Sequence, residues 1–210
     1  MKIVNAGYEL ITPINGKIIL ERIEQIARVC YKSELKAKEG SAEKMVAALI
    51  KNGHEAMLEH CSFTVKFIVD RGISHEIVRH RMASYAQEST RYCNYIKEDF
   101  GSEITVIEPC YLEKDTMAYS LWKLACMNAE DAYFGLLDVG CTPEQARAVL
   151  PHSLKTEICV TMNLREWRHF FKLRAANMTG KAHPQMLEVT VPLLNELKSK
   201  IPVVFDDIKA

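Results

Sequence analysis

The 210-residue sequence has no net charge, no paired-cysteine motif and no long hydrophobic run. Lys+Arg and Asp+Glu are equal at 27 each, which argues against a protein that holds nucleic acid by bulk charge but leaves a local basic pocket open. The seven cysteines are scattered, odd in number and never spaced C-x-x-C. A disulfide framework or a structural zinc site is therefore not indicated.

Compartment and membrane contact are predicted from two further absences. Residues 1–9 carry early charges and lack the apolar core of a signal peptide. No apolar run approaches the ~20 residues that a helix needs to span a bilayer. Because unpaired cysteines are typical of a reducing compartment, we predict a cytoplasmic protein with no membrane partner.

Repeats, low-complexity tracts and Pro/Gly-rich linkers are also missing, so the sequence predicts one domain over residues 1–210. Its pattern predicts an α+β fold, helix-rich around a mixed or antiparallel sheet. Helical spacing and capping residues predict helices at 18–31, 42–51, 73–82, 116–137, 143–150, 163–176 and 186–201. Strands are predicted within 3–11 and at 62–69, 104–107 and 157–161.

Residues 79–92 do not have the composition of a purely structural segment. Three arginines, one histidine and several hydroxyl or amide groups lie there with a single acid, Glu88. Guanidinium groups grip phosphates in a bidentate way that lysine cannot match, and the neutral polar groups could read a base: Ser84, Gln87, Ser89 and Thr90. The alternative is a solvated basic turn at a helix end, where arginine complements the helix dipole. The uncharged groups beside the arginines favour a phosphate-bearing ligand.

The triplet Arg79-His80-Arg81, followed after seven residues by Ser89, resembles the signature of flavin-dependent thymidylate synthases. Further segments resemble that family in the same order, over roughly residues 20 to 200. They are Gly53-His54-Glu55 with Glu59-His60, the A-R-x-x-L-P stretch at 146–151, Asn163-Leu164-Arg165, Leu173-Arg174, and His183 with Gln185. The resemblance implies a thymidylate synthase-complementing fold, and the absence of G-x-G-x-x-G agrees with a non-Rossmann flavin site.

The resemblance also implies which residues bind FAD. They are His54, Arg79, His80, Arg81, Gln87, Asn163, Arg165 and His169. Asn163 and Arg165 open a predicted helix, where free N–H groups suit a phosphate or ribose. For His54 and His169, a structural hydrogen bond is an equally good interpretation, and a plain N-cap role for Asn163 is compatible with ligand binding.

A second implied set binds dUMP: Glu76, Arg79, Gln87, Glu88, Ser89, Thr90, Arg91, Arg147 and Arg174. Arg147 is expected to hold the phosphate. Arg174 is expected to be catalytic, because a fixed cation near the uracil stabilises negative charge on the ring. A surface arginine and a dipole-complementing arginine are the alternatives. Ser89 is interpreted as a binding residue, since no base that would activate it is evident.

No metal is predicted, because an H-E-x-x-H motif from His54 would need histidine at position 58, which is Leu58. Three departures from the family pattern stand out. Ala86-Gln87 replaces a frequent Asn-Glu, Ala56 lacks a frequent hydroxyl, and residues 177–182 resemble an insertion before His183.

The implied reaction is the reductive methylation of dUMP to dTMP. FAD is the cofactor, and NADPH and methylenetetrahydrofolate are co-substrates. A homotetramer with shared active sites is also implied, with no nucleic-acid partner. Three alternatives stay open: a single-stranded nucleic-acid-binding module using residues 79–95, a catalytically inactive flavin-binding paralogue, and a synthase with a cysteine nucleophile.

Overall fold

The computed structural model describes residues 1–91 and 103–210, and it has the predicted α+β fold. The predictions for residues 92–95 lie outside this part of the chain. The α-helices are α1 (Gly16–Val29), α2 (Ser41–Lys51), α3 (Arg71–Ile77), α4 (Met117–Asp138), α5 (Pro143–Ala146), α6 (Leu164–Arg174) and α7 (Pro184–Lys200). Short 3-10 turns lie at Glu34–Lys36, Glu55–His60 and Arg147–Val149. The strands are β1 (Lys2–Val4), β2 (Gly7–Leu10), β3 (Ser62–Asp70), β4 (Ala83–Gln87), β5 (Thr105–Ile107) and β6 (Lys155–Asn163).

The strands form two sheets. β1 pairs with β5 in parallel, with Val4 opposite Ile107, and the larger sheet has the order β2-β3-β6-β4. β3 and β6 are antiparallel: the Leu164 amide donates to the Cys61 carbonyl at 2.9 Å. Burial alternates strictly along both strands, as expected where one face of a sheet packs on a core.

The chain divides into two compact units, described separately below. The first unit comprises Met1–Gly7, Phe67–Arg79 and Ala86–Cys159. Its core cluster contains Ile104, Val106, Cys126, Tyr133, Ala146 and Leu154. The second unit comprises Tyr8–Lys66, His80–Tyr85 and Val160–Ala210, and its core is built on Trp167, which stacks on Phe63 with ring centroids 4.8 Å apart.

Helix starts follow their capping residues. α1 begins two residues before the predicted start because the Asn15 side chain accepts from the Ile18 amide at 3.2 Å. Only glycine fits at position 16, since a Cβ there would lie 2.1 Å from the Lys200 carbonyl oxygen. α6 begins after Asn163, whose side chain accepts from the Glu166 amide at 2.9 Å, as predicted.

Two predicted helices near the candidate site are corrected. The helix predicted at 73–82 is α3, Arg71–Ile77, since Asp70 caps it by accepting from the Ile73 amide at 2.6 Å. The triplet at 79–81 therefore follows a helix end, and the next residues form β4, which was not predicted. The helix predicted at 143–150 is one turn of α-helix followed by a 3-10 turn that starts at Arg147.

A buried arginine ties the end of the chain to α6. Arg168 is 1% exposed, and its guanidinium bonds both carboxylate oxygens of Asp207, at 2.6 and 2.7 Å. It also donates to the Glu55 carboxylate at 3.1 Å and to the Val204 carbonyl. These bonds fix Glu55 beside α6, which matters for the cavity described below.

None of the helices within residues 1–91 and 103–210 combines the length and the apolar sequence that a membrane span requires. The six cysteines of these residues are free, and Cys93 lies outside them.

Candidate active site

Four polar side chains of the second unit form what we call the His80 cluster: His80, Glu166, His169 and Arg174. α6 carries the last three on one side, because His169 and Arg174 follow Glu166 by three and eight residues, about one and two helical turns. His80 Nδ1 lies 3.1 Å from Glu166 Oε1, and Arg174 Nε donates to His80 Nε2 at 3.3 Å. The His80 side chain is 3% exposed, so its ring can exchange neither bond for water.

The partners of His80 define where its proton lies. Arg174 can only donate, so Nε2 must accept, and Nδ1 therefore carries the hydrogen and donates to Glu166. Burial, then the charges of Arg174 and His169, lower the pKa of His80 to about 4. Burial also raises the pKa of the Glu166 carboxyl. Near neutral pH the His80–Glu166 contact is thus a hydrogen bond from a neutral imidazole rather than an ion pair.

A cavity of about 440 Å³ lies at the start of α6 and is lined by Glu55, Glu59, Met82, Asn163, Arg165, Glu166, His169 and Lys172. Its cations are already paired with acids. Arg165 donates to Glu59 at 2.6 Å, and Lys172 lies 3.8 Å from Glu55. The Arg165 side chain is 54% exposed, and such surface pairs contribute only about 0–1 kcal/mol. An anionic ligand can therefore take the place of Glu59.

Among the described residues, one group of three has ligand atoms close enough to hold a metal ion, within 4.8 Å of one another: His80, Glu166 and His169. A metal on either ring nitrogen of His80 would displace a hydrogen bond, from Arg174 at Nε2 or to Glu166 at Nδ1. The hydrogen bonding thus favours the metal-free arrangement, and the absence of a metal stays a prediction.

The first unit carries a second group, the Arg147 cluster: Arg71, His75, Thr90, Arg147 and His152. These residues line a cavity of about 280 Å³ with Ala148, Leu150, Pro151 and Leu154. Arg147 donates to the Thr90 hydroxyl at 3.5 Å, and the rings of His75 and His152 meet edge to face with centroids 5.9 Å apart. No carboxylate is among the described residues that line this cavity, so it suits an anion.

The tail of the motif makes bonds inside the first unit. The Gln87 amide donates to the hydroxyls of Ser74, at 2.9 Å, and Thr156, at 3.2 Å. Both hydroxyl residues are fully buried. A glutamate at position 87 would lack this amide donor, which gives the Ala86-Gln87 departure a structural reason.

Glu88, Ser89 and Arg91 also have defined partners. The Glu88 carboxylate accepts from the Glu157 amide at 3.2 Å and lies 3.3 Å from Lys155 Nζ. Ser89 Oγ accepts from the Arg91 amide at 3.3 Å, and Arg91 pairs with Glu144 at 3.0 Å.

The remaining predicted site residues lie at or near the surface. His54, Arg79 and Arg81 are exposed, and Glu76 is half-buried. Burial therefore alternates across the triplet, with only His80 inside. Residues 177–182, which resemble an insertion, form a loop closed by Asn177, whose side chain accepts from the Ala182 amide at 2.7 Å. His183 then caps α7 by accepting from the Gln185 amide.

Sequence reasoning missed four residues of the clusters. Glu166 lies three residues after Asn163, the spacing of a capping box, but its carboxylate contacts His80 instead. Arg71 and His75 are four residues apart, which places them on one face of α3 and was a usable signal. His152 follows the A-R-x-x-L-P stretch directly and carried no signal of its own.

Comparison with known proteins assigns the family. Residues 18–203 match the family described as thymidylate synthase complementing protein. The chain belongs to this family. A flavin-dependent thymidylate synthase of Pyrococcus furiosus is 34% identical over 197 residues, which cover 90% of this chain and 77% of that protein. Its counterpart in Geobacter sulfurreducens is 35% identical over 188 residues, or 86% and 78% of the two chains.

The fold agrees with a solved structure. The crystal structure of a UMP/dUMP methylase, PolB from Streptomyces cacaoi bound with 5-Br dUMP, superposes with a TM-score of 0.80. The match covers 98% of this chain and 96% of PolB at 23% identity. The thymidylate synthase-complementing family fold implied by the sequence is thus confirmed.

Proposed function

We propose that this chain is a flavin-dependent thymidylate synthase that converts dUMP to dTMP. The observation that carries the proposal is that motif residues meet distant residues that the family resemblance also assigns to the active site. His80 is bonded to Arg174, 94 positions away, and Thr90 is bonded to Arg147, 57 positions away. Curated relatives that cover most of the chain have this activity in their names.

The Arg147 cluster is proposed to bind the dUMP phosphate. Its two guanidinium groups and two imidazoles line a cavity to which the described residues contribute no carboxylate, so a bound phosphate would be the anion that compensates the guanidinium charge. Guanidinium forks suit two phosphate oxygens at once. Glu76, Gln87, Glu88, Ser89 and Arg91 are proposed to contact the rest of the nucleotide, together with Arg79.

Arg174 is proposed to stabilise the negative charge that develops on the uracil ring. Its Nε is bonded to His80, and its carbonyl accepts from the Thr190 hydroxyl at 2.7 Å. Both the backbone and the guanidinium of Arg174 are thus held before substrate arrives. A cation that needs no reorientation during the reaction is what electrostatic catalysis requires.

FAD is proposed to bind through the triplet Arg79, His80 and Arg81 and through the start of α6. His54, Gln87, Asn163, Arg165 and His169 complete the set. The chain's residues fit this group, because the N-terminal end of the α6 dipole favours a diphosphate and Arg165 is held only by an exposed ion pair. When bound, the flavin supplies the hydride chemistry of the reaction.

The remaining ligands and the assembly are part of the same proposal. Methylenetetrahydrofolate supplies the one-carbon unit and NADPH the reducing equivalents, so that the products are dTMP, tetrahydrofolate and NADP⁺. Residues 1–210 act as one domain of a cytoplasmic homotetramer with shared active sites, without a nucleic-acid or membrane partner. Burial raises the pKa of the Cys61 and Cys126 thiols, which counts against these two cysteines as nucleophiles.

The visible absorption spectrum of the purified protein tests the proposal, with FAD added if needed and dUMP then titrated. We expect a flavin absorption band whose shape changes as dUMP is added, and this change should reach saturation. A flavin band that does not respond to dUMP would favour an inactive paralogue. A colourless protein that binds no added FAD would overturn the proposal and favour the nucleic-acid alternative.

A further inference from the structure

We propose that Glu166 is a positioning residue that fixes the proton of the His80 ring on Nδ1 and thereby orients Arg174. This inference rests on the proposed catalytic role of Arg174. The ring is bracketed by a group that can only donate, Arg174, and a group that accepts, the Glu166 carboxylate. In the opposite tautomer, an N–H would face the Arg174 N–H, and a lone pair would face the carboxylate. Both hydrogen bonds would then become repulsive contacts.

The packing around His80 fixes its ring plane and leaves the proton position to the hydrogen bonds. Phe170 and His169 of α6 meet the ring edge to face, with centroids 4.9 and 5.6 Å away. The Tyr85 hydroxyl of β4 donates to the His80 carbonyl. The ionisable groups around the ring are thus Glu166, His169 and Arg174 on α6 and Tyr85 on β4. Of these, Glu166 is the one that accepts from the ring in the structure.

A carboxylate is required at position 166 because it cannot donate in its ionised form. The amide of a glutamine could accept from Nδ1–H or donate to a bare Nδ1, so it would permit both tautomers. In the second tautomer, Nε2–H points at the Arg174 Nε–H and pushes the guanidinium out of its bonded position. Glu166 therefore acts on the substrate through His80 and Arg174, without contacting it.

Nitrogen-15 NMR of histidine-labelled full-length protein tests the tautomer directly, in the wild type and in Glu166→Gln. The His80→Asn variant identifies the His80 signals. We expect the wild type to have a protonated Nδ1 and a bare Nε2, and Glu166→Gln to show averaged shifts from both tautomers. Glu59→Gln removes a charge from the same cavity, where its carboxylate is paired with Arg165, and should leave the His80 signals unchanged.

A protonated Nε2 in the wild type, or an unchanged His80 tautomer in Glu166→Gln, would overturn the inference. These readouts do not depend on turnover. If the wild type makes no dTMP, the proposed function fails while the spectra still report the His80 tautomer.

Steady-state kinetics give the second readout. In Glu166→Gln we expect kcat for dTMP formation to fall on the order of tenfold, a loss typical of residues that orient a functional group through a hydrogen bond. The KM for dUMP and the affinity for FAD should change less than about twofold. Glu166 acts only through Arg174, and Arg174 stabilises charge that appears in the transition state. Glu166→Asp keeps an acceptor and should recover part of kcat. An unchanged kcat in Glu166→Gln, or an equal loss in both variants, would contradict a positioning role.

Discussion

The two units hold the cations near their clusters in different ways. In the second unit, the cations around α6 are compensated by acids: Arg165 by Glu59, Lys172 by Glu55, and Arg168 by Glu55 and Asp207. In the first unit, Arg71 and Arg147 line a cavity that no carboxylate enters among the described residues. These cations of the second unit are neutralised by protein carboxylates before a ligand binds. The positive charge of Arg71 and Arg147 remains available to an anionic ligand.

This difference predicts that the Arg147 cluster mainly binds a ligand, whereas the His80 cluster mainly positions a charge for the reaction. Two guanidinium groups that face no carboxylate make their strongest electrostatic interactions only when a phosphate binds. A cation already held by protein groups gains less on binding but keeps its orientation, which favours the reacting state over the ground state. Substitutions at the two clusters should therefore affect different kinetic constants.

The largest effect is expected for the buried cation of the compensated network. Arg168→Met removes the partner of Glu55 and Asp207, and breaking a buried pair from one side costs about 3–5 kcal/mol. Unfolding by urea should show this loss in the free energy of unfolding. Arg165→Met, on the same helix but with an exposed ion pair, should lose less than about 1 kcal/mol. Equal losses would show that compensation, and not burial, determines the stability.

Arg174→Ala should lower kcat for dTMP formation by about 100- to 1,000-fold, the usual loss when a preorganised charge-stabilising group is removed. FAD should remain bound, because the cavity at the start of α6 keeps its lining. Turnover and flavin absorbance measured on the same sample check both statements. Wild-type turnover in this variant would remove Arg174 from the catalytic role.

Arg147→Ala should weaken dUMP binding by roughly 10- to 100-fold, since a hydrogen bond to a charged group contributes about 1.5–3 kcal/mol. The flavin spectrum without dUMP should be unaffected. Arg147→Lys is the matched control, because it keeps the charge and loses the fork. If kcat falls and the dUMP affinity is unchanged, the distinction between the two clusters is wrong.

The smallest effect concerns pH. The pKa of His80 is lowered from 6.5 to about 4, so between these values the unfolded chain binds more protons than the folded one. Stability from this residue is complete above pH 6.5 and is lost as the pH falls toward 4, by at most about 3 kcal/mol. The raised pKa of Glu166 opposes this loss. His80→Asn should flatten the dependence of unfolding free energy on pH in this window, and an unchanged slope would contradict the assignment.

Local patterns predicted much of this fold. The alternation in β3 and the Asn163 cap of α6 need only neighbouring residues, so both were predicted within two residues of their ends. The end of α3 was misplaced because Val78 and Met82 extend the apolar pattern of Ile73 and Ile77 beyond the helix end. β4 was missed because none of its residues is fully buried, so the strand lacks a hydrophobic alternation.

The candidate site was predictable as separate segments but not as clusters. The density of arginines at 79–91 indicated an anion site without structural knowledge. The role of Glu166 depends on a partner 86 positions earlier in the chain, and no local pattern encodes that distance. The same holds for Gln87, whose amide partner Thr156 is 69 positions away.

Formation of dTMP is the most direct test of the central claim. The purified full-length protein is incubated with FAD, NADPH, methylenetetrahydrofolate and dUMP, and products are separated and identified by mass. We predict dTMP in proportion to enzyme, with none when FAD, methylenetetrahydrofolate or NADPH is omitted. A protein that binds flavin and dUMP but forms no dTMP would contradict the claim.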